Sequence, residues 1–163
     1  MRASLGRSKN ATPASLFVQL GENDFSLGTS ASELAFQLLA LASLLKGRYQ
    51  TSLVIIGSLM PRFAASKPGR WALDADSARR YRQWAAEVNE TLVKESGDLP
   101  YVVIWHHNNK FPQCEAKAAQ ANRLFLDDGV HLTVQGTFHF YKSIRGALIG
   151  ATRQQAFKVT GDL

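Results

Sequence analysis

Ser52-Leu53-Val54-Ile55-Ile56-Gly57 is a near-continuous apolar run that stops on a glycine, the pattern of a strand covered on both of its faces. Two further runs resemble it. Ser15-Leu16-Phe17-Val18-Gln19-Leu20 ends at Gly21, and Tyr101-Val102-Val103-Ile104-Trp105 ends at His106-His107-Asn108-Asn109. Helical patterns lie between and after them. Ser30-Ala31-Ser32-Glu33 has the spacing of a capping box, after which Leu34, Leu38, Leu41 and Leu45 recur on one face until Lys46-Gly47 ends the run. From Asp74 to about Ser96, Tyr81, Trp84, Val88 and Leu92 form a second stripe, closed by Gly97 and Pro100. A third helix is expected after Thr133, with Val134, Phe138, Tyr141 and Leu148 sharing one face and fraying beyond Gly150. Ser58 to Arg70, with Pro61, Pro68 and Gly69, reads as an irregular loop, as does the stretch through Pro112 and Cys114.

Strands alternating with helices imply right-handed crossovers and a parallel sheet, hence an α/β fold. All strand-end loops then emerge on one side, which gathers Asn23, Ser58, His106 and His131 there. The divisions are 1–14 as a flexible N-terminal segment, 15–150 as the folded domain and 151–163 as a C-terminal tail.

Composition narrows the function classes. A chain of 163 residues with 45% hydrophobic and 20% charged residues suits one globular domain, and no apolar run approaches the roughly eighteen residues of a membrane span. The first ten residues are basic but lack the apolar core of a secretory signal. A single cysteine, Cys114, cannot form an internal disulfide, which fits a reducing compartment and favours the cytoplasm. The net charge of +6 is spread without a dense run, and Trp71, Trp84 and Trp105 read as core aromatics, so nucleic acid is not the expected partner. His106, His107, Cys114 and His131 match no common zinc spacing, so neither a metal nor any other cofactor is expected.

Chemistry concentrates in Leu126-Asp127-Asp128-Gly129-Val130-His131-Leu132-Thr133-Val134-Gln135-Gly136. Asp128 lies three residues before His131 across an Asp-Gly turn. Its carboxylate can curl back onto one ring nitrogen, set the tautomer and leave the other nitrogen to take a proton. On this segment alone the pair is equally a turn cap beside a surface histidine. Gly21-Glu22-Asn23-Asp24, at the end of the first strand, supplies a side-chain amide, although Asn and Asp also serve loops for purely conformational reasons.

Together these blocks resemble the SGNH (GDSL-type) hydrolases. Gly21-Glu22-Asn23-Asp24 looks like that family's G-x-N-D block, and Asp128-Gly129-Val130-His131 like its closing D-x-x-H block, in the same order and with similar separation. Ile56 to Arg62 and Phe140 to Gly146 also look similar to uncharacterised SGNH-like proteins of invertebrate genomes. The resemblance covers about Leu16 to Leu148. It implies a three-layer α/β/α, flavodoxin-like fold and an esterase or acyl hydrolase acting on a small-molecule ester. His131 would be the general base, Asp128 its orienter and Asn23 an oxyanion donor, with Gly21 letting the backbone turn close to the substrate.

The family's G-D-S strand and its glycine oxyanion donor have no counterpart here. Ser4, Ser8 and Ser15 are not in a Gly-Asp-Ser context. Ser58 ends a strand but its sequel Leu59-Met60-Pro61 opens no helix, so it reads as structural and only distantly as a nucleophile. The nucleophile is therefore unassigned. Two expectations follow: a truncated hydrolase whose first strand is missing, leaving Leu16 to Leu20 as an open edge, or a noncatalytic binding or scaffold protein on the same fold.

Overall fold

The computed structural model describes residues 13–67, 69–70, 72–107, 111 and 123–160. Ser4, Ser8, Pro68, Trp71, Asn108, Asn109, Pro112 and Cys114 lie outside the described residues, as do most of the 1–14 segment and the last three residues of the tail.

Strands β1 (Ser15–Val18), β2 (Leu53–Gly57) and β3 (Val102–Trp105) form one parallel sheet in the order β1-β2-β3. Ser15 pairs with Leu53, and Val54 with Val102. The apolar run Leu53–Gly57 is thus the central described strand, and all five of its residues are buried. β1 is shorter than its apolar run, because the chain leaves the ladder before Gln19, and it is an outer strand among the described residues.

Helices α1 (Ala31–Tyr49) and α2 (Ala75–Glu95) cover one face, and α3 (Val134–Thr160) covers the other. On the first face Val54 and Ile56 pack with Leu34, Leu38, Tyr81, Val88 and Leu92; on the second, Leu53 and Ile55 meet Ala147 and Ala151. The protein is a mixed α/β structure in which alternate residues of β2 feed two separate cores, as the period of a strand requires.

Capping follows the sequence. The Ser30 hydroxyl accepts from Glu33 N, Asp74 Oδ1 from Ser77 N, and Thr133 Oγ1 from Gly136 N. Two boundaries differ from expectation. α1 runs through Gly47 to Tyr49 and stops where Gln50 takes a left-handed conformation with φ of 53°, so Gly47 is an exposed helical residue and not the terminator. α3 continues past Gly150 to Thr160.

The larger correction concerns the face that α3 buries. Val134, Phe138 and Tyr141 are exposed, at 91%, 53% and 62%, whereas Ser143, Ala147 and Ala151 are buried. The cause is the indole of Trp105, which stands up from β3 and meets α3 where Gly146 and Gly150 leave room for it. Small residues let the helix approach the sheet, and this close packing wins over burial of a few larger side chains. α1 shows the same preference, with Ala35 and Ala42 fully buried beside Leu38 and Leu39 while Leu41 and Leu45 are only partly covered.

Candidate functional site

The turn that carries Asp128 and His131 is held by its own backbone and by the loop after β2. Leu126 N donates to His131 O at 2.7 Å, Gly129 N to Leu126 O at 2.9 Å, and Phe125 bridges Leu132 in antiparallel fashion. Gly129 has φ of 68°, and a Cβ there would lie 2.1 Å from Phe63 O, so both its conformation and its surroundings demand glycine. Phe63 N in turn donates to Gly129 O, and Ser66 N and the Lys67 ammonium bind Asp127. The loop from 58 to 70, irregular as expected, is therefore a clamp on the turn that carries Asp128 and His131, anchored by the buried Ser58, Leu59, Arg62 and Phe63.

Within the turn Asp128 uses both oxygens. Oδ1 accepts from the backbone amides of Val130 and His131 at 2.9 Å each, and Oδ2 lies 2.6 Å from His131 Nδ1. Partial burial is the largest single influence on the Asp128 carboxyl and works upward. The hydrogen bonds from the His131 ring and from the His131 and Val130 amides together outweigh it and hold the carboxyl below its ordinary value. An ionised carboxylate only accepts, so Nδ1 carries the proton and Nε2 of the neutral ring is the lone-pair nitrogen. The His131 side chain is 55% exposed against 24% for Asp128, which leaves the ring reachable from outside.

Asn23 follows β1 at the start of a short 3-10 turn over Asp24–Leu27, and its side chain makes no capping bond to that turn. Instead Arg62 Nη2 donates to Asn23 Oδ1 at 3.1 Å. A guanidinium has no acceptor, so the oxygen faces Arg62, and among the described residues nothing accepts from the amide nitrogen. Arg62 is itself fixed, with its guanidinium 4.7 Å from the centroid of the Tyr81 ring and its carbonyl accepting from Arg82 Nη1 at 3.0 Å. Burial pushes the Tyr81 phenol well above its ordinary value, and the neutral hydroxyl donates to Met60 O.

Asn23 and His131 line one cavity of about 550 Å³, together with Ser26, Leu27, Arg62, Arg70, Ala72, Leu73 and Val130. The two blocks of the sequence reading thus meet, although more than a hundred residues separate them. Of the lining residues, Ser26, Arg62 and Arg70 carry functional groups that sequence reasoning missed. A serine in a helical turn and arginines in a loop of scattered charge have no periodic signal to mark them.

The other expected members of the cluster lie elsewhere. Ser58 is buried, its hydroxyl accepts from His107 N at 3.3 Å, and it does not line the cavity. His106 borders a different recess, between β3 and α3, with Trp105 and Ala147. Gly21 has φ of 111° and faces Leu34 and Leu59 side chains, so it serves packing at the strand end and does not border the cavity. Among the described residues no group of three or more His, Cys, Asp or Glu is placed to hold a metal ion, and no helix is long and apolar enough to cross a membrane.

His107 is an internal residue, 2% exposed, in a directed chain of hydrogen bonds. Gln19 Nε2 donates to Glu22 Oε1 and Ser58 O, which leaves Gln19 Oε1 to accept from His107 Nε2 at 2.9 Å. His107 Nδ1 then accepts from the Ser143 hydroxyl at 2.9 Å, and Ser143 Oγ accepts from Trp105 Nε1 at 3.0 Å. Burial first, and the neighbouring His106 second, lower the His107 pKa to about 4, so the ring is neutral at pH 7. This chain ties the end of β3 and helix α3 to Gln19 and Glu22, the segment that leads into Asn23. Its chemistry is positional.

No protein-family model and no curated protein matches the chain.

Proposed function

We propose that the cavity between Asn23 and His131 is an acyl-transfer site of SGNH type, in which His131 is the general base, Asp128 orients it and the Asn23 amide donates to a developing oxyanion. The observation that carries this reading is the shared cavity itself: a histidine whose Nδ1 is paired with Asp128 and an amide whose nitrogen has no acceptor among the described residues line one space. Ester hydrolysis needs these two groups at opposite sides of one carbonyl, a base for the attacking hydroxyl and neutral donors for the tetrahedral oxygen. The cavity volume suits a small ester, with Leu27, Leu73 and Val130 as apolar wall. The three layers of helix, sheet and helix accord with the flavodoxin-like fold that such enzymes use.

The nucleophile is assigned to none of the serines described. Ser58 is occupied and buried, and Ser26 has no hydrogen bond to His131. That observation favours a second reading, in which the same cleft binds an acyl ligand and turns nothing over.

Labelling with a serine-directed fluorophosphonate separates the two. The 163-residue chain is expected not to label, whereas the same chain preceded by a strand ending in Gly-Asp-Ser labels, and loses the label in His131→Ala. Labelling of the extended protein that is indifferent to His131 overturns the base assignment. Failure of the extended, folded protein to label leaves the binding-protein reading.

A further inference from the structure

The charge of the cavity bears on what enters it. Arg62 is 8% exposed, yet its partners are neutral: the carbonyl oxygen of the Asn23 side chain and the face of Tyr81. Among the described residues Arg62 makes no direct ion pair; the Glu22 carboxylate, hydrogen-bonded by Gln19 Nε2 at 2.6 Å, acts with Arg62 on Tyr81 without touching the guanidinium. A buried guanidinium without a directly bonded carboxylate is expensive to maintain, and an anion in the cavity would offset that cost. Arg70 brings a second guanidinium to the same cavity, and none of its described lining residues is acidic. Ala72, Leu73, Leu27 and Val130 make the rest of the wall apolar.

From this we infer that the cleft recognises an anionic ligand, an oxyanion group (carboxylate or phosphate) on a short apolar stem, with Arg62 and Arg70 holding the charge and Leu27, Leu73 and Val130 the stem. The inference deepens the reading of the cleft as an acyl site and rests on it for the word substrate, but the binding claim needs only the cavity. Arg62 then has two tasks. It turns the Asn23 amide outward, and it selects ligands by charge. A planar fork with five donors can hold the Asn23 oxygen with one nitrogen and an oxyanion with another.

The test is a titration of the ¹⁵N-labelled chain with butyl phosphate, butyrate and 1-butanol at low ionic strength, following the Arg62 Nε–H and the Asn23 side-chain amide. Both resonances are expected to shift with the anions, at affinities about tenfold or more above the alcohol, since bonds to charged groups contribute that much. The tighter of the two anions identifies the headgroup as phosphate or carboxylate. Arg62→Gln is expected to abolish the preference for the anion and Arg70→Gln to weaken it. Should Arg62→Gln fail to fold, as its place over Tyr81 allows, the wild-type Arg62 Nε–H still decides, since it must shift with the anions and not with 1-butanol. Equal affinity for anion and alcohol, anion shifts away from Arg62 and Asn23, or a preference untouched by Arg70→Gln each overturn the inference. Loss of fluorophosphonate labelling in the strand-extended His131→Ala protein reports on the hydrolase reading alone, whereas the anion preference of the 163-residue chain reports on the cleft.

Discussion

Acidification tests the buried hydrogen-bond chain directly. His107 has a folded-state pKa of about 4 against an ordinary value of 6.5, because burial disfavours its charged form. Between those two values the unfolded chain binds a proton that the native ring refuses, so stability rises with pH through the window and is lost as pH falls from about 6.5 towards 4. The full shift corresponds to about 3 kcal/mol, and between pH 7.5 and pH 5 about 2 kcal/mol of it disappears, at about 1.4 kcal/mol per unit. Urea denaturation at the two pH values measures this, with a midpoint change of about 1 M for a slope of about 2 kcal/mol per molar. His107→Gln removes the titrating ring. Its pH dependence over the same interval is expected to be about 2 kcal/mol smaller, whatever its stability at neutral pH, because every other group cancels in the comparison. Identical pH dependence in the two proteins refutes the claim that His107 is held neutral in the core.

The remaining predictions concern the turn and the cleft. Gly129→Ala places a Cβ 2.1 Å from Phe63 O at a left-handed position, and should cost about 2 kcal/mol or more of unfolding free energy by urea titration. Asp128→Asn keeps an acceptor for the Val130 and His131 amides but loses the carboxylate on Nδ1, so long-range ¹⁵N correlation spectra of the His131 ring should show the tautomer no longer fixed as Nδ1–H, with little change in stability. In the strand-extended protein, Asn23→Ala is expected to slow fluorophosphonate labelling by about a hundred- to a thousandfold, the usual effect of losing an oxyanion donor, while the far-ultraviolet circular dichroism is unchanged.

What the sequence revealed, and what it hid, follows from the physics of each signal. Val54, Ile55 and Ile56 announced a two-sided strand because burial on both faces leaves no polar alternation. Ser30, Asp74 and Thr133 announced helix starts because capping is local chemistry. The Asp128 and His131 pair was legible for the same reason, being closed within one turn. The buried face of α3 was not. Hydrophobicity favours Phe138 and Tyr141, but the partner that decides is the Trp105 indole, which selects small residues and is distant in sequence. Arg62 was hidden for a similar cause, since its meaning comes from Asn23 and Tyr81, each on a different element. His106 and His107 were adjacent in sequence and could not be told apart there, whereas the fold buries one ring between Gln19 and Ser143 and leaves the other exposed.

The central claim is that Asn23 and His131 face the same ligand. Nuclear Overhauser contacts from the protons of bound butyl phosphate to the protein decide it: the account predicts contacts to both the Asn23 side-chain amide and the His131 ring within a single saturable complex. Contacts to only one of the two, or a bound ligand that touches neither, contradict it.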